Sequence, residues 1–150
     1  MIVEEIMTRD VVACGPADSL RRAAQIMWEM DVSCTPVVER GGRRLVGMLT
    51  DRDICTEAVA RWRSIDEVDV EAIMRRKVRW CWPDDSIESA EAIMRAYGVR
   101  RLAVVDPAGA LVGLVSLSDI ARHALVCPPA RSSATEDVVE TLAAVVGSPV

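Results

Sequence analysis

Two short runs carry the residues best suited to chemistry: Gly47-Met48-Leu49-Thr50-Asp51-Arg52-Asp53 and Gly113-Leu114-Val115-Ser116-Leu117-Ser118-Asp119. In each, a hydroxyl residue stands three positions before an aspartate, where an apolar run gives way to a helix-favouring stretch. A hydroxyl at the helix cap and a carboxylate one turn along form a capping box, each side chain satisfying a free backbone N–H of the other. The same geometry suits a ligand. A helix N-terminus offers free N–H groups and a partial positive charge, which attract phosphate. The hydroxyl can donate to a phosphate oxygen, and the carboxylate can accept from both hydroxyls of a ribose. The glycine lets a flat group approach the strand backbone closely. Sugar, phosphate and a flat base together describe a nucleotide; a plain helix start explains each run taken alone.

The runs recur because the chain is an internal duplication. Offset by 67, Ile6-Met7 falls on Ile73-Met74, Cys14 on Cys81, Pro16 on Pro83 and Asp18-Ser19 on Asp85-Ser86. Ala23, Ile26 and Met27 fall on Ala90, Ile93 and Met94, and Val37-Val38 on Val104-Val105. One residue is then lost in a turn, and at offset 66 Leu45-Val46-Gly47 falls on Leu111-Val112-Gly113 and Asp53-Ile54 on Asp119-Ile120. Residues 6–42 and 45–54 give 20 identities in 47 pairs. Each repeat reads as an extended lead-in, a helix, two strands joined by a glycine-bearing hairpin turn, and a second helix. The first helices are expected over 20–30 and 87–96, with Asp18 and Asp85 as N-caps and Gly98 as a helix stop. The strands are expected over 36–39, 45–49, 102–106 and 111–115, and the second helices over 51–63 and 117–126. The repeats thus run 1–63 and 70–126, joined by an acidic linker over 64–69. Residues 127–150 form a tail with a short helix expected after Thr135.

Composition narrows the function. Half of the 150 residues are hydrophobic, enough for a sizeable core, and the net charge of −5 argues against a duplex-binding face. No apolar run approaches the roughly 18 residues of a membrane span, and no signal peptide is read at the start, so a cytoplasmic protein with reduced thiols is expected. The five cysteines include no C-x-x-C pair, and His123 is the single histidine, so no metal site is expected. Cys14 and Cys81 read as buried, inert thiols. No phosphate-binding glycine loop, nucleophile elbow or catalytic constellation is present, so no enzyme activity and no required cofactor are expected.

The Gly-h-h-Thr/Ser-x-x-Asp element, the Ile-Met start, the helix and the Pro-Val-Val-Glu or Ala-Val-Val-Asp strand appear in order, twice, and the repeat resembles the CBS domain. Two in tandem resemble a Bateman module, over residues 1 to about 126. The resemblance implies an α/β fold of the α+β kind, with two β-α-β-β-α units packed through their sheets about a pseudo-twofold axis. It implies clefts between the units for AMP, ADP, ATP or S-adenosyl compounds. Asp53 and Asp119 would hold ribose, Thr50 and Ser116 would touch phosphate, and Met48 and Leu114 would lie against the base. Backbone around Cys34 to Pro36 and Leu102 to Ala103 would line the clefts. Arg100 and Arg101 would reach phosphates held at Thr50 and Asp53, whereas Ser33 and Cys34, their counterparts, could not serve the other cleft. Trp80 or Trp82 would stack on adenine, or pack in the core or at a dimer contact. Two departures stand out: Arg75 where the first repeat keeps Thr8, and Ala103 in place of Pro36. The implied role is a regulatory sensor that signals in trans to an unidentified protein and forms a homodimer. The alternative is a ligand-free assembly module acting by dimerisation and docking.

Overall fold

The computed structural model describes residues 1–126 and Thr141; the helix expected in the tail lies outside the described residues, Thr141 apart. The elements run α1 (Leu20–Glu29), β1 (Cys34–Val38), β2 (Leu45–Thr50), α2 (Asp51–Ala60), β3 (Trp80–Cys81), α3 (Ile87–Tyr97), β4 (Arg101–Val105), β5 (Leu111–Ser116) and α4 (Leu117–Val126). The mixed α/β class and the repeated order match the expectation. The lead-in strand is explicit only in the second repeat, where β3 pairs parallel with β4, Trp80 opposite Ala103 and Cys81 opposite Val104. In the first it shrinks to a single parallel bridge between Cys14 and Val37.

Helix starts differ from the reading by one residue. Ser19 and Ser86 cap α1 and α3, their hydroxyls accepting from Arg22 and Ser89 N–H at 3.2 Å. Asp18 and Asp85 are still in the lead-in turns, where their carboxylates accept from the N–H of Gly15 and Trp82, each at 2.7 Å. A short carboxylate in a tight turn finds the backbone three residues behind it before it can reach the helix. Gly98 ends α3 in the left-handed region, φ 62°, as expected. Its counterpart Asp31 takes φ 51°, which Asp tolerates better than most residues. Helix α2 stops at Ala60, short of the expected Arg63, and Trp62 follows at φ 54°. Arg61 and Arg63 both turn back to the buried Glu57, at 3.4 Å.

The chain folds into two compact units that do not coincide with the linear repeats. One, the Asp53 unit, is Val12–Val78 with Ala108–Leu111. The other, the Asp119 unit, combines Met1–Val11, Arg79–Pro107 and the described residues from Val112 on. Each unit therefore takes the lead-in of the other repeat. Val3 sits fully buried among Met94, Leu102, Val104, Val115 and Ile120, and its N–H donates to Asp85 O at 2.9 Å. Val70 plays the same part among Leu20, Ile26, Val37 and Leu49, its N–H donating to Asp18 O at 2.8 Å. Thr141 closes over α3, its hydroxyl accepting from Arg95 Nη1 at 2.7 Å.

Candidate functional site

In the Asp53 unit, β2 runs directly into α2 and delivers the Thr-x-x-Asp element to the helix start. The Thr50 hydroxyl accepts from Asp53 N–H at 3.1 Å and donates to Asp53 Oδ2 at 2.7 Å, while Thr50 N–H donates to the same oxygen at 3.1 Å. The capping box of the bland reading is therefore real. The Asp119 unit repeats it: Ser116 N–H and hydroxyl donate to Asp119 Oδ2 at 2.9 and 2.6 Å, and Asp119 N–H donates back at 3.2 Å. The box spends one carboxylate oxygen. The other, Oδ1, lies outside the box in both copies, and a carboxylate so placed can serve the helix and a diol.

The hairpin register gathers the other candidates. Cys34 pairs with Thr50 and Pro36 with Met48 across β1 and β2, so Cys34, Pro36, Met48, Thr50 and Asp53 belong to one strand-and-helix corner. Leu114, Ser116 and Asp119 form the matching corner of β5 and α4. Arg100 and Arg101 are exposed and belong to the Asp119 unit, at the start of β4. The backbone of Arg100 supports that corner, its carbonyl accepting from Leu117 N–H at 3.0 Å. Trp80 and Trp82 pair edge to face, with ring centroids 4.8 Å apart.

The role read for the glycines needs correction. A side chain at Gly47 would meet Met74 Sδ at 2.6 Å, and one at Gly113 would meet Met7 Sδ at 2.7 Å and Thr8 O at 2.9 Å. What approaches these strands is the lead-in of the other repeat, not a flat ligand. Those lead-ins are bonded edge to edge beside the site. Thr8 and Leu114 exchange both backbone hydrogen bonds, at 2.8 and 2.9 Å, and Arg75 and Met48 do the same at 2.9 and 3.0 Å.

This places Arg75 at the Asp53 corner, a contact the sequence reading missed. Its Nη2 donates to Asp53 Oδ1 at 2.9 Å, and Nε lies 3.3 Å from both carboxylate oxygens. Burial would push the Asp53 carboxyl up, but hydrogen bonds from Arg75 and Thr50 outweigh it and hold the group below the usual carboxylate range. The signal was present in the sequence as the one charged departure, Arg75 against Thr8. Asp119 has Arg122 of its own helix nearby, at 3.3 Å. The thiols of Cys14 and Cys81 are buried, which pushes them up to about 11 and about 12, and the charges of Asp18 and Asp85 add to the effect. Neither is a thiolate near neutral pH. Among the described residues, no three or more of His, Cys, Asp and Glu cluster to hold a metal ion, and no helix is long and apolar enough to cross a membrane.

A duplicated strand-to-helix corner, each holding a Thr/Ser–Asp capping box with the second carboxylate oxygen met by an arginine, is what this fold presents. The chain belongs to the CBS domain family, whose model matches residues 3–60 and 70–126. It is 35% identical over 133 residues to the CBS domain-containing protein YhcV of Bacillus subtilis, covering 89% of this chain and 92% of that one. Among solved structures it resembles the CBS domain pair of protein MJ0100 in complex with 5′-methylthioadenosine and S-adenosyl-L-methionine, with TM-score 0.73 and 28% identity, covering 82% of this chain and 98% of the other. It also resembles CBSX2 in complex with AMP, with TM-score 0.72 and 25% identity, covering 83% and 96%.

Proposed function

We propose that the chain is a regulatory module that binds an adenine nucleotide or adenosine derivative through its two Thr/Ser–Asp corners and passes the signal in trans to another protein, without turnover. The observation that carries this is the geometry of Asp53 and Asp119: one oxygen closes the cap, and the other lies outside it at a helix N-terminus, where it meets Arg75 or Arg122. A ribose diol matches that second oxygen, and a phosphate matches the helix end. Resemblance to pairs solved with AMP and with S-adenosyl-L-methionine supports the adenosine part. By charge, Arg100 and Arg101 are the further candidates for phosphate. Such a ligand acts by population shift: it favours whichever arrangement of the protein it binds better. The site calls for no cofactor beyond the regulatory ligand, and a cytoplasmic setting fits that supply of ligand.

Thermal unfolding with AMP, ADP, ATP, S-adenosyl-L-methionine and 5′-methylthioadenosine tests the reading. A compound that binds only the folded chain stabilises it by about 2.7 kcal/mol at a hundredfold excess over its Kd, a shift of several degrees. The shift is expected with at least one compound and is expected to disappear when Asp53 and Asp119 are both changed to alanine. No shift with any of them, and no heat on direct titration, would defeat the reading.

One observation favours the assembly reading alongside it. In the Asp53 unit, a groove of about 380 Å³ is lined by Met27, Trp28, Val32 and Ile54 together with Asp31 and Asp51. Trp28 is 86% exposed there, and Trp62 beyond α2 is 93% exposed. Large aromatics left in water mark association surfaces. A second copy of this chain is the proposed occupant, in keeping with a homodimer. Trp28→Glu is expected to lower the mass seen by sedimentation equilibrium to that of one chain; an unchanged mass would remove this face from the interface.

A further inference from the structure

The two corners differ in what faces the carboxylate. In the Asp119 unit the residue bonded opposite Leu114 is Thr8, and among the described residues Asp119 Oδ1 meets Arg122 at 3.3 Å. In the Asp53 unit the residue opposite Met48 is Arg75, and its guanidinium holds Asp53 Oδ1 at 2.9 Å while Thr50 holds Oδ2. The two aspartates are equally sheltered, 16% and 17% exposed, and the difference lies in the arginine: Arg75 makes three contacts with Asp53, the shortest 2.9 Å, and Arg122 one with Asp119.

We propose that Arg75 is the specificity residue of the Asp53 corner, restricting it to adenosine ligands that carry a phosphate, while the Asp119 corner, with Thr8 in the equivalent place, accepts uncharged adenosine compounds. This rests on the adenosine reading above. A ribose that donates to Asp53 Oδ1 must take that oxygen from the guanidinium. A neutral nucleoside offers nothing in return, so Arg75 loses its charged partner and regains only water. A phosphate gives the planar fork of the displaced guanidinium two acceptor oxygens, and one ion pair is exchanged for another. Lead-in backbone bonding keeps the Arg75 Cα beside Met48, so the guanidinium has to move only about its own side-chain torsions to reach a phosphate at the α2 start. At the other corner the ribose displaces only Arg122, held by a single 3.3 Å contact where Arg75 has three, so less is given up, and Thr8 demands no anion.

The experiment is calorimetric titration of the full chain carrying Asp119→Asn, which leaves the Asp53 corner intact. AMP and 5′-methylthioadenosine are titrated into this chain and into the same chain with Arg75→Thr or Arg75→Lys added. Thermal unfolding without ligand checks that each variant folds. AMP is expected to bind at least tenfold more tightly than 5′-methylthioadenosine. Arg75→Thr is expected to reduce that ratio at least tenfold, in part by strengthening the neutral compound, and Arg75→Lys to retain most of it. An equal affinity for the two compounds, or a ratio unmoved by Arg75→Thr, would overturn the role of Arg75 and leave the adenosine reading standing. Binding to the unmodified chain but not to the Asp119→Asn chain would also overturn it. Failure of both compounds to bind the unmodified chain would count against the adenosine reading itself.

Discussion

Leu102→Ala is expected to cost about 2–5 kcal/mol and lower the unfolding midpoint by roughly 5–15 °C. Leu102 is fully buried on β4, in the cluster that also holds Val3, Met94, Val115 and Ile120. Removing its side chain forfeits the transfer energy and leaves a cavity that its packed neighbours cannot all move to fill. The duplication supplies its own control, because the same position in the first repeat is Thr35. Thr35 is just as buried, but its hydroxyl donates to Val12 O at 3.1 Å. Thr35→Val keeps the shape and removes a hydroxyl that also lies 3.4 Å from Pro36 O; Val12 is 40% exposed, so water can replace the donor there. That change is expected to cost under about 1 kcal/mol. Denaturant unfolding of both variants checks the pair; similar losses would mean that the two repeats do not use this position as described.

Gly113→Ala is expected to destabilise by about 1–3 kcal/mol and to weaken ligand binding at the Asp119 corner. The added Cβ would stand 2.9 Å from Thr8 O, a backbone atom that is fixed by its exchange of hydrogen bonds with Leu114. Relief requires the whole lead-in to slide. Gly47→Ala is the milder change. Its closest neighbour is Met74 Sδ at 2.6 Å, the flexible end of a side chain, while the nearest backbone atom, Arg75 O, is at 3.4 Å. The ordering of the two losses, read from urea midpoints, is the test. Equal losses would show that methionine and backbone yield alike, and that the lead-in is not held as firmly as its bonding indicates.

Much of the fold was legible because duplication doubles every signal. A lone Leu45-Val46-Gly47 says little, but its return as Leu111-Val112-Gly113 fixes a strand and its turn in both copies. The capping boxes were legible because their physics is local, confined to four consecutive residues. What escaped was non-local. Alignment of Ile6-Met7 with Ile73-Met74 says that the segments are alike, not that each packs against the other repeat. Without that exchange, Arg75 lies 22 positions from Asp53 and gives no hint of contact. Gly47 and Gly113 were misassigned for the same reason: the group crowding each glycine comes from a distant part of the chain. The N-caps slipped by one residue because Asp and Ser are both good caps, and only the turn geometry chooses between them.

The exchanged lead-ins also bear on how the chain is made. Thr8 must find Leu114, about a hundred residues further along, before the Asp119 unit has its edge bonded, and closing so long a loop slows folding. During synthesis at about 5–20 residues per second, Met1–Val11 waits for several seconds with Val3 and Ile6 uncovered until its partners leave the ribosome. A nascent first repeat can close its own hairpin, but it cannot complete either compact unit. The duplication is therefore obligate in translation as well as in form: half of this chain is not half of the protein.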